Sequence, residues 1–237
     1  MDVASSIIAL QSKTVGRDKV YRTVQYASKL IGWYLARTSA SKGTIEKFSK
    51  LESNLSLARK LFRVGKPIDF FVEILRQVKN ADPVLRNTLT GRAACLSGWL
   101  LIDHLLWFAK AGIVNVDAKK WSRRSAWFWL AGLILAVVRD IYQYMRVEQA
   151  RARYIQRSLN QPNSAEQAQT VLSSPTVQQF DKDLATHRLE LIKDVCDLII
   201  PSSSLELIQP SAGLVGLLGL ISSLIGLHQV WPKQVPK

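Results

Sequence analysis

The chain has 237 residues, a formal net charge of +14, 48% hydrophobic residues and a mean hydropathy of +0.05. This apolar content excludes a wholly disordered chain, because disorder combines low hydrophobicity with high charge. With only two cysteines, Cys95 and Cys196, neither a disulfide framework nor a cysteine-rich metal site is available.

The positive charge is concentrated near the N-terminus. Residues 1–80 contain 15 basic and 6 acidic side chains, whereas the long uncharged runs come later. A soluble nucleic-acid-binding protein can carry such a charge, but it is rarely this apolar. The division therefore predicts a basic surface region of amphipathic helices, residues 1–82, followed by membrane-associated segments.

Apolar residues recur mostly at helical spacing, which predicts an all-α protein. The first four helices are expected at about 3–12, 17–35, 45–65 and 68–78. In the third, five apolar side chains at spacings of three and four share one arc: Phe48, Leu51, Leu55, Ala58 and Phe62. Basic side chains accompany them: Arg59, Lys60, Arg63 and Lys66.

This third helix has three possible interpretations. It could pack in a helical bundle, bind nucleic acid through its cations, or lie in a membrane interface. A membrane-spanning segment further along the chain would hold it near a bilayer, which favours the interface. The five apolar residues are then membrane-inserting, and the four basic residues bind anionic lipid.

Residues 83–157 are expected to form an apolar helical hairpin. Its two runs, 93–109 and 125–138, are shorter than the roughly 20 residues that span a bilayer. A membrane hairpin and a buried hairpin of a soluble bundle therefore both stay open. Asp103 and His104 interrupt the first run, and a hydrogen bond inside the bundle is favoured because neighbouring helical residues point about 100° apart.

A polar linker is expected at 158–176, followed by an amphipathic helix within 177–204 that Pro201 ends. Residues 205–237 are predicted to be a C-terminal transmembrane segment and a short tail, since 26 positions between Glu206 and Lys233 carry no formal charge. In lipid, small residues let helices approach closely. Four glycines are therefore predicted to mediate helix association: Gly213, Gly216, Gly219 and Gly226.

Catalytic signals are poor. The three histidines are scattered, and no phosphate-binding loop, nucleophile elbow or paired zinc motif is present in the sequence. The expectation is that the chain is not an enzyme and uses no cofactor or metal.

Several blocks of the sequence resemble the peroxin eleven family of peroxisomal membrane proteins. They occur in the family's order along nearly the whole chain: 16–22 with Gln25 and Tyr26, 50–53, 58–63, 138–142, 195–201 and 212–226. The resemblance implies an integral peroxisomal membrane protein with its N-terminal region in the cytosol. It also implies self-association, membrane elongation before division, and cooperation with tail-anchored fission adaptors and a dynamin-like GTPase.

Together, the residues and the resemblance predict a protein that remodels peroxisomal membranes by inserting its amphipathic helix. Its expected partners are membrane lipids, further copies of itself and the fission machinery, and no nucleic acid. An alternative is a peroxisomal pore for small metabolites, which Asp103 and His104 could help to line.

Overall fold

The computed structural model describes residues 3–159 and 171–232, and within those ranges the secondary structure is helical. The helices are α1 (Val3–Gln11), α2 (Thr14–Arg37), α3 (Lys42–Phe62), α4 (Lys66–Gln77), α5 (Pro83–Lys110), α6 (Ala118–Leu159), α7 (Pro175–Ser204) and α8 (Ala212–Val230). The prediction of an all-α protein is confirmed. The ends of the four N-terminal helices differ from the predicted ends by three residues or fewer.

Local sequence explains where several helices begin. The Ser41, Ser174 and Ser211 hydroxyls accept hydrogen bonds from backbone N–H groups in the first turns of α3, α7 and α8. The Asp82 carboxylate caps α5 in the same way, accepting from two backbone N–H groups at 2.9 and 3.2 Å. These caps satisfy donors that a helix start otherwise leaves free.

The two central apolar runs belong to helices much longer than the runs themselves. Helix α5 has 28 residues and α6 has 42; at 1.5 Å per residue, α6 is about 63 Å long. Of the predicted linker 158–176, residues 160–170 lie outside the described residues, as does the tail 233–237.

The prediction that α7 ends at Pro201 is wrong, because the helix continues to Ser204. Proline removes one backbone N–H, but here the loss falls in the last turn. That turn is closed by Leu205 N–H donating to the Pro201 carbonyl and by the Ser204 hydroxyl donating to the Ile200 carbonyl, both at 2.9 Å.

The helices pack so that α2, near the N-terminus, contacts α8, near the C-terminus. Helix α2 lies between α3 and α8, α5 contacts α3, α4 and α6, and α7 joins α6 to α8. Among the described residues, α6 and α8 are long and apolar enough to cross a membrane. The 19 residues of α8 extend for about 28 Å, close to the roughly 30 Å of a bilayer's hydrocarbon core.

Charged side chains lie inside the bundle, and large apolar side chains lie on its surface. Buried charged side chains are found on α2, α3, α5, α6 and α7: Arg22, Arg59, Asp103, Asp140, Asp194 and Asp197. Large apolar side chains lie on the surface of both candidate spanning helices, including Trp127, Ile134, Val138, Leu217 and Leu224. This distribution suits lipid around the bundle, because buried charges need partners whereas lipid-facing residues need none.

Candidate functional site

Helix α4 presents an open apolar face that the sequence interpretation did not assign to membrane insertion. Ile68, Phe71, Val72 and Leu75 are each between 54% and 68% exposed. Their spacing of three, four and seven residues places them on one side of the helix. This apolar face could have been predicted from the sequence, because the spacing of three and four residues that identified the face of α3 recurs in α4.

The junction between α3 and α4 fixes how the two helices follow each other. Gly65 adopts a left-handed backbone conformation with φ of +84°, which glycine tolerates and other residues rarely adopt. Pro67 lies in the first turn of α4, where the missing N–H is not needed. A sharp turn of three residues therefore separates the two amphipathic helices.

The predicted inserting face of α3 lies largely against α2. Phe48, Leu55, Ala58 and Phe62 are half-buried, whereas Leu51 remains exposed. The Phe62 ring lies 5.2 Å from that of Tyr21. Phe48 and Phe62 thus contact α2 in this conformation, and the insertion of the five residues into lipid stays a prediction.

The basic residues predicted to bind lipid point into the bundle. Arg59 is 8% exposed and donates to Asp18 at 3.0 Å and to the Gln25 side chain at 2.8 Å. Arg63 donates to Asp103 at 2.8 Å, and Lys60 donates to the same carboxylate. Their lipid contact also stays a prediction, and it requires these pairs to open.

Lys66, the fourth predicted lipid ligand, is half-buried and lines an internal cavity that the other three basic residues also line.

The carboxylate of Asp18 is surrounded by cations. Burial alone would raise the pKa of Asp18, but the nearby Arg59 and Arg63 outweigh it, so that pKa is lowered from its ordinary value. The Asp18 carboxylate is therefore held ionised, as an acceptor for Arg59.

Asp103 and His104 make the interior contacts that the sequence favoured. Asp103 is buried between Lys60 and Arg63, and His104 Nε2 lies 3.0 Å from the Arg63 carbonyl oxygen. The expected hydrogen bonds inside the bundle are confirmed. Among the described residues, no cluster of three metal-ligating side chains is present.

A buried ion pair joins three helices that are far apart in sequence. Arg22 of α2 donates to Asp197 of α7 at 2.5 Å and to the Ser222 hydroxyl of α8 at 3.0 Å. The Ser222 hydroxyl in turn donates to Asp197. The sequence did not predict this cluster, because no periodicity links residues that are 175 and 200 positions apart.

The four glycines of α8 face α2 of the same chain. A Cβ atom on Gly213 would lie 2.3 Å from the Trp33 ring, and one on Gly219 would lie 2.3 Å from the Tyr26 ring. A Cβ on Gly216 would meet the Leu30 backbone at 2.9 Å. The glycines thus permit a close contact within the chain, and association between chains through this face stays a prediction.

A polar cavity of about 630 Å³ lies inside the bundle. Nine basic side chains line it: Lys19, Arg22, Lys29, Arg59, Lys60, Arg63, Lys66, Arg92 and Lys193. Five acidic side chains also line it: Asp18, Glu52, Asp103, Asp194 and Asp197. Nine against five leaves an excess of four positive charges in the lining.

These features are typical of an all-α membrane protein: two candidate spanning helices, large apolar side chains on the surface and ion pairs in the interior. The family model described as Peroxisomal biogenesis factor 11 (PEX11) matches residues 4–231. The chain therefore belongs to the PEX11 family. It is a peroxisomal membrane protein with a role in peroxisome biogenesis, as the sequence resemblance predicted.

Named relatives match along almost their whole length. Peroxisomal membrane protein 11A of Homo sapiens is 29% identical over 230 residues, covering 92% of this chain and 93% of the relative. Peroxisomal membrane protein 11 homolog of Dictyostelium discoideum is 29% identical, covering 96% and 94%. Peroxisomal membrane protein 11B of Homo sapiens is 28% identical, covering 93% and 94%. No solved structure matches the chain.

Proposed function

We propose that the chain elongates the peroxisomal membrane before division by inserting amphipathic helices of its N-terminal region into the cytosolic leaflet. The observation that supports this most is the open apolar face of α4, which directly follows the amphipathic α3. A helix lying in the interface with its apolar side among acyl chains expands one leaflet. That expansion favours positive curvature and tubules.

The two helices enter the leaflet in sequence. Helix α4 inserts first, since Ile68, Phe71, Val72 and Leu75 need no rearrangement to reach lipid. Helix α3 must first exchange its contacts with α2 for acyl chains. Its cations must also leave Asp18 and Asp103 for anionic head groups, where each gains about 1 kcal/mol. Removing one partner of a buried pair costs about 3–5 kcal/mol, so α3 stays docked until α4 has bound.

The test uses the full chain reconstituted into anionic liposomes, with tubulation scored by electron microscopy. Ile68→Asp and Phe71→Asp place a carboxylate on the inserting face and are expected to abolish tubules. Ile113→Asp is the matched control, because Ile113 is also well exposed but lies outside both amphipathic helices. Tubulation by both α4 variants at the level of the parent would refute the proposal.

A second pair of variants tests the α3 step. Leu55→Asp and Phe62→Asp are expected to reduce tubulation, because they place a carboxylate on a face that must leave α2 and enter lipid. The reduction should exceed that of a variant with the same loss of melting temperature. If both variants unfold at the parent's temperature and still tubulate, α3 does not insert and α4 acts alone.

Self-association would concentrate the inserted helices on one patch of membrane. Recruitment of tail-anchored adaptors and a dynamin-like GTPase then completes division, as the family resemblance implies. The glycine face of α8 is occupied by α2 in this conformation. Contact between copies through that face therefore requires α2 to move away from α8.

A second candidate function is a pore for small metabolites. It is favoured by the polar cavity inside a bundle whose outside is apolar. Asp103 borders the cavity but is paired with Lys60 and Arg63, so an open pore would be lined mainly by basic side chains. Single-channel recording of the full chain in planar bilayers tests this function. Phe71→Asp should conduct like the parent, and absence of conductance in the parent would exclude the pore.

A further inference from the structure

The cavity contains more cations than its carboxylates can neutralise. The carboxylates nearest Lys19 are already used, because Asp197 pairs with Arg22 and Asp18 pairs with Arg59. Within the described part of the chain, neither Lys19 nor Lys66 has an acidic partner within 4.0 Å.

A third cation of the same cavity has an unsatisfied donor. The Nε atom of Arg92 is buried without a hydrogen-bond acceptor among the described residues. A buried donor of a charged group that lacks an acceptor destabilises the folded chain, because its desolvation is not compensated. An anion in the cavity would accept a hydrogen bond from this donor, and the cavity would therefore have an affinity for anions. That affinity does not depend on membrane curvature.

Other cations lie near Lys19, although Arg22 and Arg59 are paired with carboxylates. Arg22 lies near Lys19, and Arg59 interacts with Asp18, the residue next to Lys19 in sequence. Burial and the charge of Arg22 lower the pKa of Lys19 to about 8. Even so, most Lys19 side chains carry a proton at pH 7, and an anion beside them would strengthen that charge.

The shape of the cavity restricts the ligand. Its volume of about 630 Å³ lies in the range of small-molecule pockets and exceeds the size of a bare inorganic ion. Trp99 and Trp129 stack with their ring centroids 5.1 Å apart, and both line the cavity. The ligand therefore has an anionic group for the cations and a neutral or apolar part for the aromatic wall.

We propose that this cavity binds a phosphate group, carried by a soluble phosphoester or by a phospholipid head group, with Lys19 and Lys66 as its direct ligands. Lysine is a common phosphate ligand, and charge-assisted hydrogen bonds are stronger than those between neutral groups. Loss of either lysine is accordingly expected to weaken binding by about tenfold or more.

The test uses the full chain purified in a neutral detergent, so that it depends on neither membrane insertion nor conduction. Thermal unfolding, followed by tryptophan fluorescence, is measured against glycerol 3-phosphate, a soluble phosphoester, in one arm. A second arm uses phosphatidic acid in the detergent micelles, and sodium chloride at matched ionic strength is the reference. A ligand that binds only the folded state raises the melting temperature in a saturable way.

Lys19→Met and Lys66→Met are the informative variants, because neither substitution removes a partner from a described ion pair. Lys47→Met is the matched control, since Lys47 is exposed on α3 outside the cavity. The expected result is a saturable shift in the parent and in Lys47→Met, with a dissociation constant at least tenfold higher in the other two. A shift in the phosphatidic acid arm alone, with the same dependence on both lysines, identifies a lipid head group.

The proposal is overturned if neither phosphate source shifts the melting temperature beyond the effect of chloride. It is overturned equally if the shift is the same in all three variants, because binding is then at the surface.

Discussion

Replacement of Gly219 by alanine is expected to loosen the contact between α8 and α2. A Cβ at this position would lie 2.3 Å from the Tyr26 ring, closer than carbon atoms pack. The ring cannot easily move away, because Tyr26 is buried with Ile199, Ile200 and Val215. Overpacking costs about 1–3 kcal/mol, and alanine regains about 1 kcal/mol in helix propensity. A 2.3 Å approach to a buried ring belongs in the upper part of that range, about 2–3 kcal/mol, so the net loss is on the order of 1–2 kcal/mol.

The assay is thermal unfolding of the detergent-purified full chain, followed by the helical circular dichroism signal. For a chain of this length, a loss of 1 kcal/mol lowers the melting temperature by about 2–4 °C, so we expect a fall of about 3–6 °C. Gly43→Ala is the control, because a Cβ on Gly43 would meet nothing within 4 Å. That variant should melt at the parent's temperature or slightly above it.

A double-mutant cycle decides whether Tyr26 is the cause. In a Tyr26→Ala background the alanine at position 219 has room, so its destabilising effect should disappear. The reasoning is refuted if Gly219→Ala is neutral in the parent, or if it costs the same in both backgrounds. Unchanged stability together with a loss of cross-linked oligomers would instead assign the glycine to contacts between chains.

Two further predictions concern the charges beside this contact. Arg22→Gln leaves the buried Asp197 without its charged partner, so it should lower the unfolding free energy by about 3–5 kcal/mol. Addition of Asp197→Asn should restore part of that free energy in denaturant titrations. The pKa of Lys19 is lowered to about 8 by burial and by Arg22 and Lys193, against the opposing effect of Asp18 and Asp197. Between pH 8 and about 10.5 the unfolded chain holds a proton that the folded chain has lost, so Lys19 should make stability rise with pH there. Lys19→Met should flatten that rise, and an unchanged slope in melting temperature against pH would contradict the assignment.

The helical architecture was predictable because it follows from local patterns. Spacings of three and four residues located the amphipathic helices, and a run of 26 uncharged positions located α8. Which amphipathic face stays open was not predictable in this way. Periodicity identifies a face on α3 and on α4 alike, but only the tertiary contact with α2 covers the first and leaves Phe71 and its neighbours exposed.

The charged interior was harder to predict from the sequence for a different reason. Arg59 and Arg63 occupy the polar side of an amphipathic helix, which ordinarily indicates contact with water or head groups. Their partners Asp18 and Asp103 lie about 40 positions away on other helices. A single sequence carries no signal for such pairs. The cavity and its excess charge depend on the tertiary contacts and could not be predicted from the sequence.

The contact between α2 and α8 has a consequence for the order of events during synthesis. Arg22 and its partner Ser222 are 200 positions apart. A ribosome therefore completes α2 long before the helix that covers Tyr26 and Trp33 exists. Until α8 has been made, the Tyr26 and Trp33 rings and the Arg22 guanidinium lack the contacts that α8 provides. The bundle consequently closes only after almost the whole chain has been made, and a nascent chain that stops before α8 exposes this surface.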